Sequence, residues 1–100
     1  SNIKEGMPLV IDVVDREFID PDALFVLDYI FDLLPESWQR SVKQDCEAGE
    51  EFWAVEMALQ GAIETGAALS KTVLLKVEKI ASNSDSSFAE RLHLLLRTLD

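Results

Sequence analysis

The chain has 100 residues, 48% of them apolar, a single cysteine and a formal net charge of −10. That length supports one domain spanning 1–100, and the supply of Leu, Ile, Val and Phe excludes a disordered chain. The acidity excludes nucleic acid and anionic membrane surfaces as direct ligands, no run reaches the roughly 20 apolar residues of a membrane span, and the lone Cys46 excludes an internal disulfide and suits the cytoplasm.

Pro8 to Phe18 is open between two readings. Val10, Ile11, Val13 and Val14 suit a strand, although no second strand candidate is in sight. Pro8 in a first turn, with Ile11, Val14 and Phe18 at i, i+3 and i+7, suits a helix. Asp20-Pro21-Asp22 is a helix start, with an Asp cap, a Pro at the first position and an acid in the first turn. The helix runs to about Leu34, where Pro35 stops it. Only Asp28 and Asp32 interrupt its apolar run, which predicts a helix at the centre of the fold.

Pro35 to Ala48 reads as a thinly amphipathic surface helix, held mainly by Trp38 with Val42 and Cys46, and ended by Gly49 at C′. Glu50 to Thr65 carries Phe52, Val55, Leu59 and Ile63 on one stripe. A face of small residues (Ala54, Ala58, Gly61 and Thr65) runs beside it and lets another helix approach closely. Ser70 to Ser82 turns Val73, Leu74, Val77, Ile80 and Ala81 inward and Lys71, Lys76 and Lys79 outward. After the polar loop Ser82–Ser87, a last helix runs from Ser87 to Leu99 on Phe88, Leu92, Leu95, Leu96 and Leu99. Ser87-Phe88-Ala89-Glu90 reads as its capping box. Short connections between these elements give an all-α antiparallel bundle of four to five helices.

Few residues here carry catalytic chemistry. Glu90-x-x-His93 places two metal-ligand types on one helix face, but a di-metal centre needs two such pairs and the chain has one His. Asp28 and Asp32 stand one turn apart and could share a proton, yet they also mark the solvent edge of an apolar helix. Asp45 and Glu47 flank Cys46 and disfavour its thiolate. No Gly-rich phosphate loop, nucleophile elbow or calcium-loop pattern is present. Asp85-Ser86 before the last helix echoes an acyl-carrier serine, in the wrong place along the chain. No metal, cofactor or catalytic residue is therefore assigned.

The charge distribution carries more. Residues 1–66 hold 15 acidic and 4 basic residues, a net of −11, and residues 67–100 a net of +1. One cluster is Asp12, Asp15, Asp20 and Asp22, with Glu17. A second is Asp45, Glu47, Glu50 and Glu51, followed by Phe52 and Trp53. Carboxylates beside exposure-prone aromatics have the composition of an interface with a basic protein. Self-repulsion across so acidic a surface would be relieved by such a partner. Those acids, with Trp38 and Trp53 as aromatic anchors, are the candidate partner-binding residues. The protein is expected to be a monomer rather than a homodimer until it meets its target.

In size, charge, helix count and lack of catalytic groups the whole chain resembles, as a profile rather than by motif, the small acidic immunity proteins of bacteria. The resemblance implies a non-catalytic inhibitor whose carboxylate-rich face covers the cationic cleft of a toxin, commonly a nuclease, with association that weakens in salt. A competing reading is an acidic helical chaperone or regulator, possibly dimeric, that holds a partner helix on the small-residue face or on the apolar 24–34 helix. A third is a metal enzyme built on Glu90, His93 and the Asp28/Asp32 pair.

Overall fold

In the computed structural model, which describes residues 19–99, five helices share one core and none of the described residues is in a strand. They are α1 (Pro21–Phe31), α2 (Glu36–Glu47), α3 (Glu51–Thr65), α4 (Lys71–Ser82) and α5 (Ser86–Thr98). The all-α bundle expected from the sequence is the fold. The helix-or-strand question at Pro8–Phe18, with Asp12 and Asp15, lies outside the described residues.

Local chemistry sets the helix ends. Asp20 Oδ2 accepts from the N–H groups of Asp22 and Ala23, each at 3.1 Å, and so caps α1. α1 stops three residues before Leu34, because a residue preceding proline is pushed out of the helical region. Its last turn tightens through Leu33 N–H to Ile30 O and Leu34 N–H to Phe31 O, and Gln39 Nε2 donates to Phe31 O. At the end of α2, Gly49 takes φ +79°, a left-handed conformation costly for other residues. Gly49 N–H then reaches Cys46 O and Glu50 N–H reaches Asp45 O, the paired bonds of a Schellman ending.

The start of α5 corrects the sequence reading. Its cap is Asp85, whose Oδ1 accepts from Phe88 N–H at 2.9 Å, and Ser87 lies inside the first turn. Two good capping residues compete here, and the carboxylate two positions earlier also favours the positive helix N-terminus. Asp85→Ala is expected to cost about 1 kcal/mol in urea denaturation, and Ser87→Ala a few tenths at most.

α1, α3, α5 and α4 form a ring, each packing on the next and α4 closing back on α1, while α2 lies outside it against α3. The hairpins α2/α3 and α4/α5 each reverse the chain. The core is made by Val26, Leu27 and Ile30 of α1, Val55 and Leu59 of α3, Val73 and Val77 of α4 and Leu92 of α5, all fully buried. One expectation changes. α1 is not enclosed: Ala23, Val26, Leu27, Ile30 and Phe31 are buried but Phe25 and Tyr29 are exposed, as is Leu33 in the turn that follows, because the ring supplies neighbours on only two sides. α2 is seated through the stripe read from the sequence, with Val42 and Cys46 buried and Trp38 half-buried. The small-residue face of α3 serves this contact. A Cβ on Gly61 would lie 2.9 Å from Leu34 Cδ2 and 3.0 Å from the Trp38 ring.

Candidate partner-binding groove

The ring order brings the N-termini of α1, α3 and α5 and the C-terminus of α4 to one end of the molecule. Between them lies a groove of about 570 Å³. Its floor is aromatic. Phe52 and Trp53, from the first turn of α3, meet Phe88 of α5 edge to face at centroid distances of 6.4 and 6.3 Å. Such pairs add to the burial energy of the rings and fix their orientation. Trp53 remains 52% exposed and Phe52 is exposed beside it, so the anchors face solvent.

Carboxylates rim this floor: Asp20 and Asp22 from α1, Glu50 and Glu51 from α3, Asp85 from α5. The structure thus brings together Asp20, Asp22, Glu50, Glu51 and Trp53 of the predicted set. It also shows why so acidic an end is tolerated. Asp20 and Asp85 cap helices, and Glu51 Oε2 accepts from Asp20 N–H at 3.1 Å. Three helix N-termini therefore offset part of the repulsion that the sequence alone implied. Asp22 is paired too, with Lys76 Nζ at 3.1 Å and Lys79 Nζ at 3.2 Å. The Lys76 hydrogen bond, with Lys79 adding to it, holds the Asp22 carboxyl below its ordinary range against a desolvation that pushes the other way. Glu50 is exposed and makes no side-chain bond or ion pair among the described residues.

One guanidinium lies among these acids, and it is turned inward. Arg91 Nε donates to both carboxylate oxygens of Glu56, at 3.2 and 3.3 Å, and Arg91 Nη1 lies 3.4 Å from Ser87 Oγ. Its Cζ stands 5.0 Å from the Trp53 ring centre and 5.4 Å from that of Phe88. Glu56 is the buried charged residue of the described core. Arg91 thus satisfies it and props the aromatic floor from one side. The sequence reading missed both residues. The signal was there: a carboxylate inside the apolar stretch Ala54–Leu59 needs a cation from another element.

The remaining predicted residues lie elsewhere. Trp38 is half-buried against Gly61 and belongs to the α2/α3 contact. Asp45 and Glu47 end α2 beside Cys46. Burial raises the Asp45 carboxyl above its ordinary range. Burial, then the charges of Asp45, Glu51, Glu47 and Asp28, pushes the Cys46 thiol up to about 12, which leaves no thiolate for nucleophilic work near neutral pH. His93 Nε2 lies 3.4 Å from Glu78 Oε1 across the α4/α5 hairpin. Among the described residues no three His, Cys, Asp or Glu side chains are grouped to hold a metal ion, and no helix is long and apolar enough to cross a membrane. Comparison with protein-family models, curated proteins and solved structures finds no match to this chain.

Proposed function

We propose that the protein is a non-catalytic inhibitor, an immunity protein that neutralises a basic toxin by docking the acidic groove on it. The observation that carries this reading is the exposed Trp53–Phe52 pair set in a rim of five carboxylates. Aromatic anchors fixed in place, ringed by charge, have the anatomy of a binding hot spot. The rim steers a cationic surface toward them, and the aromatics then hold it. The side chains around the groove support binding rather than turnover, since apart from Glu50 the rim carboxylates and Arg91 are each bonded to a helix end or to another side chain.

The test is affinity capture with this protein as bait, at low and high salt, beside Glu50→Lys and Trp53→Ala baits. Glu50 is chosen over Glu51 because Glu51 also bonds the start of α1. The expected result is one basic partner held at low salt and released at high salt. Glu50→Lys should slow association severalfold with folding stability unchanged, and Trp53→Ala should speed dissociation. Capture that ignores salt and survives both substitutions would sink the inhibitor reading, and an apolar helix so captured would point to the helix-holding alternative.

A further inference from the structure

Leucines exposed singly are ordinary on a protein surface. Leu94 of α5 is one, with Glu90, Arg97 and Thr98 a turn away. The outer face of α1 is different. Phe25, Tyr29 and Leu33 recur every fourth residue and are 43%, 38% and 42% exposed. Phe25 and Tyr29 stand on α1 itself, and Leu33 follows in the tight turn that ends it, its N–H bonded to Ile30 O. Rows at this spacing are the ridges that pack between the side-chain rows of a second helix. None of the three lines the acidic groove, although Asp22 lies between the two surfaces.

The flanks of the row select the charge of what covers it. Asp28 and Asp32 follow Phe25 and Tyr29 by three residues and therefore stand beside the row along one edge. On the opposite edge Lys76 lies 5.4 Å over the Phe25 ring, but Asp22 holds it at 3.1 Å. A second copy of this chain is a poor occupant. An antiparallel two-fold contact would bring Asp28 and Asp32 against their own copies, and any self-contact joins two molecules of net charge −10.

We propose that the outer face of α1 is a docking ridge for a cationic amphipathic helix of a partner protein. The helix lays its apolar stripe along Phe25, Tyr29 and Leu33 and turns lysines or arginines toward Asp32. The proposal is independent of the groove, which would serve a different part of a partner.

The probe is a synthetic helix of leucine and lysine with its leucines on one face, beside a matched helix with glutamate in place of lysine. Both are titrated into the full chain while backbone amide shifts are followed. The lysine helix should bind with shifts centred on α1, and the glutamate helix should not bind. Tyr29→Ser should weaken binding roughly tenfold or more. Asp32→Lys should weaken it and flatten its salt dependence, whereas Leu94→Ser should leave it unchanged. Equal binding of both helices, shifts centred on Phe52 and Trp53, or indifference to Tyr29→Ser would overturn the proposal. So would self-association through this face, or a fall of several degrees in the melting temperature of Tyr29→Ser, which would mean that the chain covers the ridge itself. Failure of the groove substitutions in the capture experiment leaves these outcomes untouched, so the two readings fail separately.

Discussion

Gly61→Leu is expected to destabilise the fold by about 3 kcal/mol. A side chain at this position has nowhere to go. Its Cβ alone would stand 2.9 Å from Leu34 Cδ2 and 3.0 Å from two atoms of the Trp38 ring. The rest of a leucine would have to displace α2 from α3. For a chain of this size the loss corresponds to roughly 15 °C in melting temperature. Gly61→Ala should cost much less, because the methyl meets the same atoms but alanine returns about 1 kcal/mol of helix propensity. Cys46 gives an independent readout. It is buried on α2 with its thiol pushed up to about 12, so it should resist alkylation at mildly alkaline pH in the native protein. In Gly61→Leu it should react quickly as α2 lifts away. A leucine variant with an unchanged denaturation midpoint and a protected thiol would show that α2 is not seated by this contact.

That contact was half legible in the sequence. Ala54, Ala58 and Gly61 announced a face that another helix could approach, but spacing alone could not say which one. The same limit applies throughout. Asp20-Pro21 at the start of α1, Ser70 at the start of α4 and Gly49 after α2 are local signals, and each holds because capping and left-handed turns are decided within a few residues. The run Leu24–Leu34 was read correctly as helix as far as Phe31, and incorrectly as enclosed. A mostly apolar helix and a helix carrying an exposed ridge have the same composition, and only its neighbours tell them apart. The groove was legible in its acids and in Trp53, but not in its assembly. Nothing in residues 50–53 or 85–88 declares that α3 and α5 begin at the same end, because hydrophobic period fixes which face turns inward and not the order of helices around a ring. Trp38 was read both as the residue that holds α2 and as a partner anchor, and it lies in the α2/α3 contact: an aromatic in a thin stripe fits a partner or a glycine opposite equally well.

Glu56 and Arg91 give the second large effect. Arg91→Ala should cost about 2 kcal/mol. Full burial of both charges would make the loss larger, but the Arg91 side chain is 39% exposed and water screens the pair on that side. Most of the cost comes from leaving the buried Glu56 carboxylate without its cation, rather than from losing a favourable bridge. The single and double variants should therefore behave differently. Glu56→Gln in the Arg91→Ala background should recover part of the loss, and Glu56→Leu with Arg91→Leu should be nearer to wild type than Arg91→Ala alone. Double-mutant cycles from urea denaturation measure this coupling, and additive single effects would mean that the two side chains act independently. The substitution also tests how the fold prepares the groove. Arg91 stands 5.0 Å from the Trp53 ring centre, and its removal frees the exposed indole on one face. In the Arg91→Ala protein, Trp53 fluorescence should become more mobile by anisotropy. A partner bound through the groove should leave faster while arriving at much the same rate, because the rim carboxylates that steer it are intact. If dissociation is unchanged while stability falls, Arg91 serves the core alone and the aromatic floor holds its geometry through Phe88.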